Sequence, residues 1–167
     1  SGTLAASNYN FTFVDGTLTV NKAVLTVTAD NKSRGYGSAN PTLTATLSGF
    51  VNGENSSVVS GAPSLSTTAT LNSPANTYPI TVTQGTLTAT NYDFTFVNGT
   101  LTVGKAILTF TAENKTKVFG AALPELTYSV TGFLNGDTAS VITGAPSLTT
   151  TATATSNVGQ YPISIAA

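Results

Sequence analysis

Four residue types are missing from this chain altogether: cysteine, histidine, methionine and tryptophan. Their absence removes disulfides and thiol catalysis, imidazole acid–base chemistry, and the thiolate and imidazole ligands of zinc and haem sites. Charge is almost as scarce. Six basic and seven acidic residues make up 8% of the 167 residues, against about 25% in an ordinary soluble domain. With a net charge of −1 and a pI near 5.0 there is no basic stripe to neutralise phosphates, which argues against a nucleic-acid partner. No apolar run approaches the roughly 18 residues of a membrane helix, so no membrane insertion is expected in this segment. A chain without cysteine suits a reducing compartment and equally suits extracellular bacterial proteins that avoid thiols. The abundance of Thr, Ser, Asn and Gly points to the outside of a cell.

What the chain has instead is threonine, 33 residues of it, beside 40% hydrophobic residues. That pairing favours strands over helices. Apolar residues alternate with threonine at Phe11 and Phe13, Leu18 and Val20, Leu43, Ala45 and Leu47, and Tyr78, Ile80 and Val82, each run reading as a strand with one dry and one threonine-covered face.

The chain is also a repeat. Asn8–Val20 (NYNFTFVDGTLTV) returns as Asn91–Val103 (NYDFTFVNGTLTV), a shift of 83 positions. The same shift superimposes GAPSL at Gly61 on GAPSL at Gly144, and Tyr78-Pro79-Ile80 on Tyr161-Pro162-Ile163, without insertion. More than half of the residues so paired are identical. The period divides the chain into a segment 1–20 equivalent to the end of a unit, a complete repeat 21–103, and an incomplete repeat 104–167 lacking its last strands, with short linkers at Asn21-Lys22 and Gly104-Lys105. Residues 1–20 are then the final strands of a preceding repeat or a segment donated to a neighbouring chain.

Asp15-Gly16 and Asn98-Gly99 stand between alternating runs, the strongest short-range signal for a β-hairpin, and predict type I′ turns. Asn52-Gly53 and Asn135-Gly136 are followed by segments opening with Glu54 or Asp137 and closing at Gly61 or Gly144, which permits a helix of one or two turns in each unit. The expected class is mostly β: tandem small β-grasp-like domains, with an immunoglobulin-like sandwich as the other arrangement for units of this size.

The stretch Ala29-Asp30-Asn31-Lys32-Ser33-Arg34-Gly35-Tyr36-Gly37-Ser38-Ala39-Asn40-Pro41, followed by Ser48-Gly49-Phe50-Val51-Asn52-Gly53, resembles the MBG repeat domain of YGX type. The GAPSL, YPI and FVNGTLTV segments carry the same resemblance, which extends over essentially the whole chain. In the second copy the motif reads Asn114-Lys115, then Val118-Phe119-Gly120-Ala121, then Pro124, so Phe119 replaces Tyr36 and the aromatic ring is read as a packing group. The resemblance implies a β-grasp-like fold, tandem arrays in bacterial surface and adhesin-like proteins, and an exported location; it supplies no catalytic residues.

Nothing in the sequence assembles a reaction centre, and neither enzyme activity nor a cofactor or metal is expected. The carboxylates Asp15, Asp30, Glu54, Asp93, Glu113, Glu125 and Asp137 are dispersed singletons. Lys22 and Lys105 stand at the unit junctions, where a cross-link to an Asn or Asp side chain is the chemical reading and a solvated linker charge the plainer one. Asn31-Lys32 and Asn114-Lys115 precede a Gly-containing turn and Pro41 or Pro124, and turn chemistry accounts for them. Asn10, Asn31, Asn55, Asn98 and Asn114 each open an N-glycosylation pattern, as chance provides in a chain so rich in Asn and Thr. Tyr9, Tyr36, Tyr78, Tyr92, Tyr128 and Tyr161 read as packing residues or, alternatively, as a sugar-stacking platform of a mucin- or glycan-binding adhesive module. The expected partners are neighbouring copies of the same repeat, with host or environmental glycans in the adhesive alternative.

Overall fold

The alternating runs form strands wherever a second edge lies within reach. In the computed structural model, which describes residues 2–167, the first unit holds β1 (Ala23–Ala29), β2 (Lys32–Gly35), β3 (Ala45–Ser48), β4 (Ser64–Thr67), β5 (Asn76–Thr83), β6 (Tyr92–Val97) and β7 (Gly99–Gly104). One sheet has the order β3-β1-β6 and the other β2-β7-β5-β4. Two parallel pairings join them. Ala23 faces Tyr92 in the β1/β6 pair and Lys32 faces Leu101 in the β2/β7 pair, so a single register runs through both. These four strands are one long parallel pair, kinked at Asp30-Asn31 and Asn98-Gly99 as it passes from one sheet to the other. Followed through the kink, the order is β3, β1–β2, β6–β7, β5, β4. This is a mixed arrangement, with antiparallel pairs outside a central parallel pair, and the unit is mostly β.

Alternation then decides what is buried. Leu25, Val27 and Ala29 of β1, Ile80 and Val82 of β5, Tyr92 of β6, and Leu101 and Val103 of β7 are all buried, while the intervening threonines lie towards solvent. Both sheets contribute to one core, completed by Ala69 and Leu87 and flanked by Leu43, Leu47, Leu65, Phe94 and Phe96. Each fully buried Leu or Val side chain contributes about 1.5–3 kcal/mol of transfer free energy.

Three sequence expectations need correction. Asn98-Gly99 joins no hairpin, because β6 pairs with β1 and β7 with β2 and β5, in different sheets. Gly99 is there for close approach, since a Cβ on it would fall 2.4 Å from the Ala29 carbonyl oxygen. Asn98 accepts a hydrogen bond from the Val82 N–H at 3.1 Å. The true tight turns of this kind are Asn52-Gly53 (φ 55° and 74°) and Asn135-Gly136 (φ 54° and 81°). The helices expected after them shrink to single 3-10 turns, Ser56–Val58 and Ala139–Val141, in segments whose β-branched ends return to extended backbone. Lys32 belongs to strand β2 rather than to a turn, and Asn31 bridges the kink, its side-chain oxygen accepting from the N–H (2.8 Å) and hydroxyl (3.0 Å) of Thr100.

The second unit contains β8 (Thr109–Ala112) paired with β9 (Tyr128–Thr131), and β10 (Ser147–Thr150) paired with β11 (Ile163–Ala166). These are two separate hydrogen-bonded pairs. Residues 104–167 include no counterpart of β6 and β7, the strands that join the two sheets of the first unit. Every fully buried hydrophobic residue among those described lies between Leu25 and Val103. Residues 2–22 form no strand, in contrast to the strand reading of 11–20 and the Asp15-Gly16 hairpin. A strand needs a paired edge as well as an alternating pattern, and residues 2–22 are paired with no strand of the chain. Of the 1–20 segment, Ser1 lies outside the described residues.

Candidate functional site

The second unit presents an open edge and two cavities. Lys115–Val118, the counterpart of β2, is not paired as a strand, because in the first unit its partner is β7. Between this stretch and β11 runs a groove of about 680 Å³, lined among others by Ala112, Thr116, Phe119, Ala152, Tyr161 and Ile163. By the repeat, this is where the first unit places Leu101 and Val103. A second cavity of about 450 Å³ is bounded by Phe110, Ile142, Gly144, Pro146 and Ile165. The corresponding residues of the first unit, Val27, Val59, Gly61, Pro63 and Val82, surround the place of buried Leu87. There the Thr88 and Ser60 backbones exchange hydrogen bonds of 2.9 and 3.0 Å, and the Thr86 N–H donates to the Ala62 carbonyl at 2.9 Å.

The segment bearing the matching sequence is exposed. Leu18 and Val20, counterparts of Leu101 and Val103, are 89% and 87% exposed, and Leu4, counterpart of Leu87, is 64% exposed. Tyr9 and Phe13 are largely in solvent, and Phe11 is exposed beside Phe13 with ring centroids 6.5 Å apart.

Polar groups elsewhere hold turns and kinks. Asp30 accepts from the Thr44 and Thr46 hydroxyls across the β1/β3 pair, and these hydrogen bonds hold its carboxyl below the usual value. Glu113 repeats the arrangement with Thr127 and then Lys115, with the same downward direction. The Tyr92 hydroxyl donates to the Glu54 carboxylate and accepts from the Val51 N–H at 3.2 Å; the Glu54 hydrogen bond pushes the phenol upward. Lys22 lies 3.7 Å from Asp93 at the exposed start of the β1/β6 pair. Among the described residues no three acidic side chains gather as a metal site, and no buried side-chain polar atom is left without a partner.

The sequence-selected residues fall in separate places. Tyr36-Gly37 and Phe119-Gly120 form turns before Pro41 and Pro124. Asn31, Asn98 and Gly99 gather at the kink. Asp15 and Gly16 lie in the unpaired N-terminal segment, and Asn114 and Lys115 line the groove. Four of the tyrosines are engaged singly: Tyr92 is buried, Tyr78 donates to the Pro74 carbonyl, Tyr161 to that of Asn157, and Tyr36 to Asp137. Leu4, Phe110, Ile142, Leu134 and Asp137 escaped the sequence reading as site residues. The repeat offered a signal for the first three, because each matches a core position of the first unit.

The family model of the MBG domain (YGX type) matches residues 25–102 and again 108–167. The two matched segments coincide with the strand-bearing parts of the two units. No curated protein and no solved structure matches the chain. MBG domains are typical of surface proteins, and among the described residues no helix is long and apolar enough to cross a membrane. With more than half of its length matched by two consecutive copies, the chain belongs to the MBG domain (YGX type) family and is a tandem repeat module of that kind.

Proposed function

We propose that the chain is a non-enzymatic structural module of an extracellular bacterial stalk, adhesin or filament, its units stacked head to tail and completed by strand donation. In this reading residues 2–20 of one copy take the place in a neighbour's second unit that residues 85–103 hold in the first. The observation that carries it is the match between the open groove of the second unit and the exposed apolar residues of the N-terminal segment. An extended segment satisfies the free N–H and C=O groups of a sheet edge, while pockets for alternate side chains fix its register. Leu18 and Val20 fill the groove, Leu4 the smaller cavity, and Phe11 and Phe13 the flank that Phe94 and Phe96 cover in the first unit.

Glycine supports the same reading. A Cβ on Gly61 would meet the Thr86 carbonyl oxygen at 2.1 Å, as one on Gly99 would meet Ala29, yet their counterparts Gly144 and Gly16 have nothing within 4 Å. At Gly16 the steric need for glycine arises only when the segment is docked, whereas Gly144 already sits at φ 85° and docking adds a close approach to that backbone requirement. In a longer chain the period that follows supplies the same strands and the same local contacts.

The function is then mechanical. Each unit touches its neighbours alone, and the length of the rod scales with copy number. The few exposed ion pairs add little, so the rod is expected to be insensitive to salt. Sedimentation velocity of residues 1–167 and of a variant lacking residues 2–20 tests the proposal. The full segment should form head-to-tail oligomers that lengthen with concentration, and the deletion should stay monomeric. Monodisperse monomers of the full segment at high concentration would refute it.

A further inference from the structure

The two units meet at one place the family motif does not explain by itself. The Tyr36-Gly37 turn of the first unit packs against the Leu134-Asn135-Gly136-Asp137 turn of the second. Half-buried Tyr36 donates its hydroxyl hydrogen to the Asp137 carboxylate at 2.9 Å. Gly37 has φ +79°, and a Cβ there would stand 2.9 Å from Leu134 Cδ1. The Asn135 side-chain amide reaches the Leu71 carbonyl at 3.4 Å. The incoming turn is closed by its own hydrogen bond, Asp137 N–H to the Leu134 carbonyl, 2.9 Å.

Both halves of this joint occur a second time, unfilled. Val118 and Phe119, at the socket position of the second unit, are 77% and 63% exposed, and Gly120 has nothing within 4 Å. Val51-Asn52-Gly53-Glu54, at the plug position of the first unit, is open at Val51 and Gly53. It has the same left-handed Asn-Gly backbone and the same closing hydrogen bond, Glu54 N–H to the Val51 carbonyl, 3.0 Å.

We propose that the Tyr-Gly-Xaa turn is the socket of an inter-repeat joint, receiving the apolar-Asn-Gly-acid turn of the unit that follows, and that the Phe119 turn receives Val51–Glu54 of a second copy. The second half rests on strand donation. A donor segment ending at Val20 leads into its own first unit through Lys22-Ala23, as β7 leads into the second unit through Lys105-Ala106, so the filled joint is reproduced between chains. The acids fit their sockets. Asp137 faces a socket with a hydroxyl, whereas Glu54, destined for a socket with a bare phenyl ring, already holds the hydroxyl of Tyr92 within its own unit. The joint within the chain is therefore latched by a hydrogen bond, and the joint between chains is apolar.

The chain has no cysteine, so spin labels at Thr81→Cys and Thr149→Cys, one exposed site in each unit, report the joint alone in dilute full-length segment. A single narrow distance is expected. It should broaden in Gly37→Val and in Leu134→Ala and narrow again only with the parent residues. Leu134 is 41% exposed, so the second variant keeps both units folded, as circular dichroism will verify. A parent distance that is broad, or one that both variants leave unchanged, overturns the joint. For the second half, p-benzoylphenylalanine in place of Phe119 is irradiated in an isotopically mixed sample at assembling concentration. An interchain adduct on Val51–Glu54 is expected, and an adduct elsewhere, or none in assembled material, overturns it. A segment that never assembles in sedimentation overturns strand donation and the interchain joint together, and the spin-label distance still decides the joint within the chain.

Discussion

Leu18 and Leu101 occupy the same position of the repeat and differ in one respect, so they offer the sharpest contrast between folding and assembly. Leu101 is fully buried in β7 between β2 and β5, whereas Leu18 is 89% exposed. Truncating a buried leucine to alanine costs about 2–5 kcal/mol through lost transfer free energy and a residual cavity. Leu101→Ala should therefore remove a large part of the roughly 5–15 kcal/mol that stabilises a small domain. In dilute solution Leu18→Ala should stay within about 0.5 kcal/mol of the parent, as exposed substitutions do. Once Leu18 enters a neighbour's groove, the same roughly 2–5 kcal/mol applies to association, or about 30-fold to a few thousandfold in affinity. Urea unfolding followed by tyrosine fluorescence at low concentration reads the first effect, and sedimentation equilibrium the second. The reasoning fails if Leu18→Ala associates like the parent, or if it lowers the dilute urea midpoint as far as Leu101→Ala does.

Gly99→Ala should destabilise the first unit by about 1–3 kcal/mol or more in thermal unfolding, because its methyl group meets the Ala29 carbonyl oxygen; Gly16→Ala should be silent in dilute solution and weaken assembly. Asp30 and Glu113 have folded values below their unfolded ones, so the stability they contribute is complete above the ordinary carboxylate range and disappears as pH falls through the folded values. The melting temperature should drop on acidification, and Asp30→Asn should flatten that drop. Tyr92 behaves in the opposite sense: its raised value contributes stability below about pH 10 that is lost as pH climbs through the folded value. Spectrophotometric titration should show a phenol ionising above the ordinary tyrosine range, and Tyr92→Phe should remove it.

Much of the fold could be read from spacing. The threonine alternation marks β3 and β5 and, through the repeat, β6 and β7, and the 83-residue shift marks the two units, because a period-two pattern and a duplication are both visible in sequence spacing alone. What escaped reading is tertiary. Asn98-Gly99 carries the signature of a hairpin, but its flanking strands each find a better parallel partner in β1 and β2, and the glycine answers to the Ala29 carbonyl instead of a turn. Residues 11–20 alternate as cleanly as 94–103 yet form no strand, since a strand requires an edge as well as a pattern. The Tyr36–Asp137 contact spans 101 positions and left only a faint trace, the paired change to Phe119 and Glu54.

Amide hydrogen exchange of Gly16–Val20, followed from dilute to concentrated solution, addresses strand completion most directly. These amides should exchange freely in the dilute segment, where they form no strand, and become protected together with Lys115–Val118 as concentration rises. Fast exchange at every concentration, with Lys115–Val118 equally open, would contradict completion of one copy by another.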